Sequence, residues 1–229
     1  MPSTFKLCSF KTCPWVHRAA IVLQEKGVDY DIDYIDRDNR PDWFLKISPH
    51  SKVPVLILDD ETALFESNAI AEYLDETIEP RLHPADPIKR AQNRAWNDYV
   101  PIFSDITHLT NAADKADLDV RRESADQRLA KLEGALRLRG NDGPFFNGAD
   151  FSLVDASYAP ALLRFTLFDR LYPIGLIENY PLVRAWRDAL IARQSVIKSV
   201  VPDFEDYWRE QLIVRGRWVA QFLGAAAAE

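Results

Sequence analysis

Lys11-Thr12-Cys13-Pro14-Trp15-Val16-His17-Arg18 is the stretch whose reading decides the fold. A short apolar run (Phe5, Leu7, Phe10) precedes it and a helical pattern follows, so it reads as a strand-to-helix turn. Pro14 suits the first helical position, where its missing N–H is no loss, and Cys13 then stands at the helix start. Backbone N–H groups without an intrahelical partner, together with the positive end of the helix dipole, point at the sulfur. Both favour thiolate over thiol, which predicts a pKa lowered from about 8.5 to somewhere within ~3.5–7.5. The expected product is a reactive cysteine on a rigid mount.

A dithiol oxidoreductase carries its second cysteine three residues on, and here that position is Val16. Cys8, the only other cysteine, belongs to the preceding strand and has the wrong spacing. A lone nucleophilic thiol needs an external thiol to resolve its mixed disulfide, and glutathione is the abundant intracellular one. The competing reading is a small buried core cysteine; Cys-Pro-aromatic at a strand-to-helix turn weighs against it.

Two cysteines in 229 residues and no signal-like apolar start argue for a reducing, cytoplasmic setting. No apolar run approaches the roughly 18 residues of a membrane span, so no membrane partner is expected. The net charge of −7 gives no electrostatic footprint for nucleic acid. Hydrophobic residues, 47% of the chain, are ample for a packed core, and the length allows one or two domains. The alanine-rich residues 225–229 read as a frayed end.

Downstream, residues 14–26 keep Val16, Ala19, Ala20, Ile21 and Leu23 in a helical arc that Gly27 closes. Residues 28–35 alternate as a strand, 36–41 form a polar loop, and 42–47 a short helix. Residues 53–58 and 63–65, joined by Asp59-Asp60-Glu61-Thr62, read as a hairpin, and Ser67 as the cap of a helix over 68–77. The order β-α-β-α-β-β-α is thioredoxin-like. Residues 79–87 carry three prolines and read as a linker. Beyond it every segment is helical in period: 88–113, 117–139, 153–170, 180–193 and 203–222, with a short helix at 195–200. The expected fold is therefore α/β plus all-α, with a thioredoxin-like domain over 1–78 and an all-helical domain over 88–229. Asp155, three residues after Ser152, reads as half of a capping box rather than as a catalytic carboxylate.

Four segments taken together resemble the cytosolic glutathione transferases, over nearly the full length. They are Thr12-Cys13-Pro14-Trp15, Asn39-Arg40-Pro41-Asp42-Trp43-Phe44, Lys52-Val53-Pro54-Val55 and Phe65-Glu66-Ser67-Asn68-Ala69-Ile70. Within that superfamily the likeness is to the omega class and bacterial cysteine-type enzymes, since cysteine occupies the position where other classes carry tyrosine or serine. The resemblance implies glutathione as co-substrate, no metal, and a catalytic Cys13. Pro54 would be the cis-proline that leaves the Val53 backbone free to pair with glutathione like an added strand. Glu66 would take the γ-glutamyl ammonium and Ser67 its carboxylate. Arg40 would reach the glycine carboxylate, where omega enzymes carry lysine, with Lys52 as its substitute. Trp15 would wall an acceptor site completed by Tyr99, Phe103, Phe165, Phe168 and Trp208, against the alternative that aromatics at helical spacing are core. His17, one turn after Cys13, reads first as a surface or packing histidine, with deepening of the thiolate when charged as the alternative, and Arg18 is open in the same way.

The function implied is a glutathione-dependent thiol transferase or reductase working through a Cys13–glutathione mixed disulfide, in a homodimer. Glutathionylated proteins, dehydroascorbate and α-glutathionyl ketones or aryl ethers are the implied substrates. The alternatives are a glutathione lyase or conjugating transferase acting on aromatic or electrophilic compounds, or a non-catalytic binding protein of the same fold.

Overall fold

The structure is a computed structural model and describes residues 4–59 and 61–223; the alanine-rich end and Asp60 of the hairpin turn lie outside the described residues. The first half follows the expected order. β1 (Phe5–Ser9) leads into α1 (Pro14–Lys26), followed by β2 (Asp31–Tyr34) and α2 (Asp42–Ile47). The hairpin β3 (Val55–Leu58) and β4 (Ala63–Phe65) then runs into α3 (Ser67–Thr77). The sheet order is β2-β1-β3-β4, with β1 parallel to β2 and antiparallel to β3, and β3 antiparallel to β4. Leu7 pairs with Ile32 on one side and with Leu56 on the other, so the central strand is buried and its end delivers the chain to Cys13.

Pro14 opens α1, and Gly27, left-handed at φ 65°, closes it by returning its N–H to the Gln24 carbonyl. At that closed end Lys26 is fully buried. Its Nζ lies 2.7 Å from Asp75 Oδ1 and donates to the Ile78 and Pro80 carbonyls at 2.6 Å each. This ties α1 to α3 and to the chain that leads out of the sheet. Both Val53–Pro54 and Glu79–Pro80 are cis.

The helical half comprises α4 (Pro87–Phe103), α5 (Lys115–Leu138), α6 (Leu153–Leu171), α7 (Pro181–Ile191), α8 (Gln194–Lys198) and α9 (Phe204–Val214). Two expected long helices are each split. The segment expected over 88–113 turns into a 3-10 helix at Ser104–Asn111. Pro101 cannot donate an N–H, and Ser104, Thr107 and Thr110 each bond their hydroxyl to the carbonyl three residues back. The segment expected over 203–222 breaks at Gly216, left-handed at φ 59°, before a 3-10 turn at Trp218–Phe222. Helix α6 is buried on nearly every face and packs against α1, α4 and α7, so it is the axis of this half. Its start is the expected capping box. Asp155 accepts from the Ser152 N–H and hydroxyl at 2.8 and 2.6 Å, from the Phe146 N–H at 2.9 Å and from Trp186 Nε1 at 2.6 Å. With four donors around one buried carboxylate, Asp155 is structural.

Candidate active site

Cys13 is the N-cap of α1, in extended conformation at φ −73° and ψ 118°. Its own N–H donates to the Phe10 carbonyl at 3.0 Å, which closes the turn, and its carbonyl accepts from the His17 N–H at 3.2 Å. The backbone N–H groups of Trp15 and Val16 at the helix start draw the thiol's pKa down, but the Cys13 side chain makes no capping hydrogen bond. The expected lowering of its pKa is corrected in direction. Burial pushes the half-buried thiol up, and this outweighs the pull of the two N–H groups and of the Arg164 and Arg37 guanidiniums. The helix start alone therefore does not make the thiolate. Cys8 is fully buried and pushed up to about 11, which makes it inert.

Beside the turn lies a cavity of about 340 Å³, within the range of about 300–1,000 Å³ typical of small-ligand sites. It gathers Trp15, Arg18, Lys52, Val53, Pro54, Glu66 and Ser67, with His50 and Asn68 beside them. Asn97, Asp98 and Pro101 of α4 form its opposite wall. Glu66, not Ser67, is the N-cap of α3. It stands at φ 69°, its side chain makes no capping bond, and Ser67 is the first helical residue. The first turn of α3 therefore opens toward the cavity without a side-chain cap, a ready place for a carboxylate. Val53 precedes β3 and lies outside the ladder. Lys52 is the lysine in this cavity. Arg40 is not part of the wall; it sits 5.8 Å over the Phe10 ring, and its Nε is buried without a partner.

The acceptor aromatics need correction. Trp15 lines the same cavity as Glu66 and Ser67. Phe103, Phe165, Phe168 and Trp208 are buried in the helical core, Phe103 against Tyr158 at 4.8 Å between centroids. Phe103, Phe165 and Phe168 have almost no exposed surface to offer a substrate, and Trp208 keeps only 7%. Tyr99 is half-buried, edge-on to Trp96 at 5.6 Å, with its hydroxyl unpartnered.

Four residues belong here whose place or role the sequence left open or did not show. Arg18 is buried, 5.3 Å over the Trp15 ring, with one long bond of 3.4 Å to Asn68 Oδ1; its Nε and Nη2 are buried without partners. Burial lowers it to about 10, which leaves it charged at neutral pH. Asn97 is buried with both amide atoms unpartnered. Together they give the cavity a polar floor able to receive a ligand's polar groups. His17 is neutral: burial and Arg164 lower it to about 3, so it supplies no charge to the thiol. Arg164 of α6 reaches the cysteine turn from the helical half and donates to the Thr12 carbonyl at 2.9 Å. No signal near Cys13 in the sequence could have found it, because 152 residues separate the two bonded positions.

The arrangement matches known proteins over both halves. Residues 12–77 match the glutathione S-transferase N-terminal domain and residues 112–189 the C-terminal domain. A probable cytosolic glutathione S-transferase, DHAR1, of Oryza sativa subsp. japonica is 32% identical over 82% of this chain and 83% of its own length. The chain belongs to the glutathione S-transferase family. Glutathione S-transferase omega-1 of Rattus norvegicus is 30% identical, over 88% of this chain and 82% of its own. Among solved structures, a Tau class glutathione S-transferase from mango superposes with a TM-score of 0.78 at 25% identity, over 99% of this chain and 100% of that one. Glutathione transferase Omega 3C from Trametes versicolor superposes at 0.71 with 29% identity, over 87% and 90%. The glutathione S-transferase fold thus accounts for the small mixed sheet with its helices and for the helical half that follows. Among the described residues no helix is long and apolar enough to cross a membrane.

Proposed function

We propose that this glutathione S-transferase is an omega-like thiol transferase or reductase that uses Cys13 alone as its nucleophile. The reading rests on one observation above all: Cys13 stands at the start of α1, two residues before Trp15, which lines the cavity that gathers Val53, Glu66 and Ser67. Glutathione occupies that cavity, with its γ-glutamyl end at Glu66, Ser67 and the open turn of α3, and Lys52 within reach of its glycine end. The Cys13 thiolate attacks the glutathionyl sulfur of a mixed disulfide. A Cys13–glutathione disulfide forms, the substrate leaves as its thiolate, and a second glutathione thiolate then releases oxidised glutathione and frees Cys13. Val16 in place of a second cysteine fits this external resolution. A homodimer is part of the same reading, and light scattering checks it.

The upward push of burial on Cys13 favours a second reading, conjugation of glutathione to electrophiles without a protein nucleophile. Glutathione-dependent reduction of hydroxyethyl disulfide by wild type and Cys13→Ser separates the two. Thiol transfer at the background rate in the variant supports the proposal. Retained transfer, or conjugation of an electrophile undiminished by the substitution, overturns it.

A further inference from the structure

Arg164 is 7% exposed, deep in α6, and among the described residues no carboxylate lies within ion-pair distance of it. A buried guanidinium needs hydrogen-bond partners and a counter-charge. It has the first: Nη1 donates to the Pro160 carbonyl at 2.8 Å, Nη2 to the Thr12 carbonyl at 2.9 Å, and the group lies 5.1 Å over the Phe204 ring. Arg164 also borders a small cavity of about 10 Å³ together with Cys13 and His17. Among the described residues that line it, the groups that can ionise to anions are the Cys13 thiol and the Tyr34 phenol, and the thiol has the lower ordinary pKa.

We infer that Arg164 is the charge partner of the Cys13 thiolate, supplied by the helical half to a cysteine carried by the other half. The inference rests on the reading of Cys13 as nucleophile. Thiol and guanidinium each supply what the other lacks. Burial lowers Arg164 to about 10, and Cys13 is the group that draws it back up. In return, Arg164 is the foremost of the cations that draw Cys13 down, ahead of Arg37.

The other groups around the thiol do not replace it. Lys11 faces the Tyr207 ring at 5.1 Å and Arg37 the Phe10 ring at 5.2 Å, both from loops at the surface. Tyr34 lies across the cavity and is itself raised by burial. His17 donates from Nε2 to the Val196 carbonyl at 3.3 Å, which leaves the Nδ1 lone pair toward Arg164 Nη1 at 3.4 Å. A neutral histidine thus steadies the guanidinium instead of competing with it. In the reaction the same cation acts twice. It stabilises the thiolate that attacks the glutathionyl sulfur, and later the thiolate that leaves when a second glutathione displaces it. Arg164 touches no reacting bond here, so it is a positioning residue that acts through the charge on sulfur.

The test is the pH dependence of Cys13 alkylation by iodoacetamide, read by peptide mass so that Cys8 does not interfere. Arg164→Gln raises the midpoint by about one pH unit, which slows alkylation at neutral pH about tenfold. Arg164→Lys, which keeps the charge and loses the fork, recovers at least half of that shift. Equal midpoints in wild type and Arg164→Gln, or equal shifts in the Gln and Lys variants, overturn the inference. Where an Arg164 variant does not fold, Cys13→Asp against Cys13→Asn decides with Arg164 intact. A carboxylate beside an unpaired cation gives the higher melting temperature at neutral pH, and a lower one overturns the pairing. Neither readout uses turnover. If Cys13→Ser retains thiol transfer while these shifts appear, it is the catalytic reading that fails and the pairing stands.

Discussion

Helix α1 holds a buried cation near each end, and the two are finished differently. At its C-terminal end Lys26 has a carboxylate and two carbonyls within 2.7 Å, a complete shell with nothing left to bind. At its N-terminal end Arg164 of α6 has two carbonyls and an aromatic face but, among the described residues, no carboxylate, and a thiol lines the same small cavity. One pair of groups joins α1 to α3; the other is left for chemistry. The cavity lined by Trp15, Glu66 and Ser67 repeats the contrast. Arg18 and Asn97 carry buried polar atoms with no partner, whereas the Asp155 carboxylate in the core is met by four donors. Closed polar clusters hold this fold, and open ones mark where a ligand belongs.

The largest effect expected from this contrast is at the closed end. Lys26→Met leaves Asp75 buried without its cation, a loss of about 3–5 kcal/mol, which lowers the melting temperature by roughly 6–20 °C. The Leu82 and His83 N–H groups that also reach Asp75 put the loss toward the smaller figure. Thiol transfer per folded molecule stays unchanged; a drop there would mean that the two ends of α1 are not independent.

Asn97→Leu has the reverse pattern. Glutathione binding, measured by calorimetry, weakens about fivefold, the worth of roughly 1 kcal/mol for one hydrogen bond. The melting temperature is equal or higher, because the unpartnered amide is gone. A large loss of stability with unchanged binding would make Asn97 a core residue.

The smallest effect concerns another closed cluster. Glu72 lies 2.8 Å from His83 Nε2 and 2.7 Å from Arg94 Nη2, and these partners lower its pKa to about 2 against the opposing effect of burial. A carboxylate lowered on folding adds stability above its unfolded pKa, and that stability is lost as pH falls through the folded value. Melting curves of wild type and Glu72→Gln therefore differ by a constant amount above pH ~4.5, and the gap closes toward pH ~2. A gap that persists at pH ~2 would assign the difference to packing.

Much of the fold is legible because its signals are local. Pro14 and Gly27 bracket α1, Ser152 and Asp155 start α6, and the two apolar runs on either side of 59–62 give the hairpin. What was misread depended on competition between neighbours or on distance. Ser67 has the residue type of a cap, yet Glu66 takes that position with a left-handed backbone. Pro101 and three hydroxyls convert the end of a periodic helix to a 3-10 segment that hydrophobic spacing does not register. Phe103, Phe165 and Phe168 carry the same letters whether they face a substrate or the core, and burial put them in the core. The cavity around Val53, Glu66 and Ser67 was legible through resemblance. Its second wall, Asn97 and Asp98, and the cation beside Cys13 were not, because α4 and α6 meet the first half only in three dimensions.

The central claim is that Cys13 alone captures glutathione, and intact mass followed by peptide mapping after incubation with oxidised glutathione tests it most directly. The account predicts one glutathione per chain, on Cys13, removed by excess reduced glutathione and absent from Cys13→Ser. An adduct on Cys8, or no adduct on wild type under conditions where the protein turns over, would contradict it.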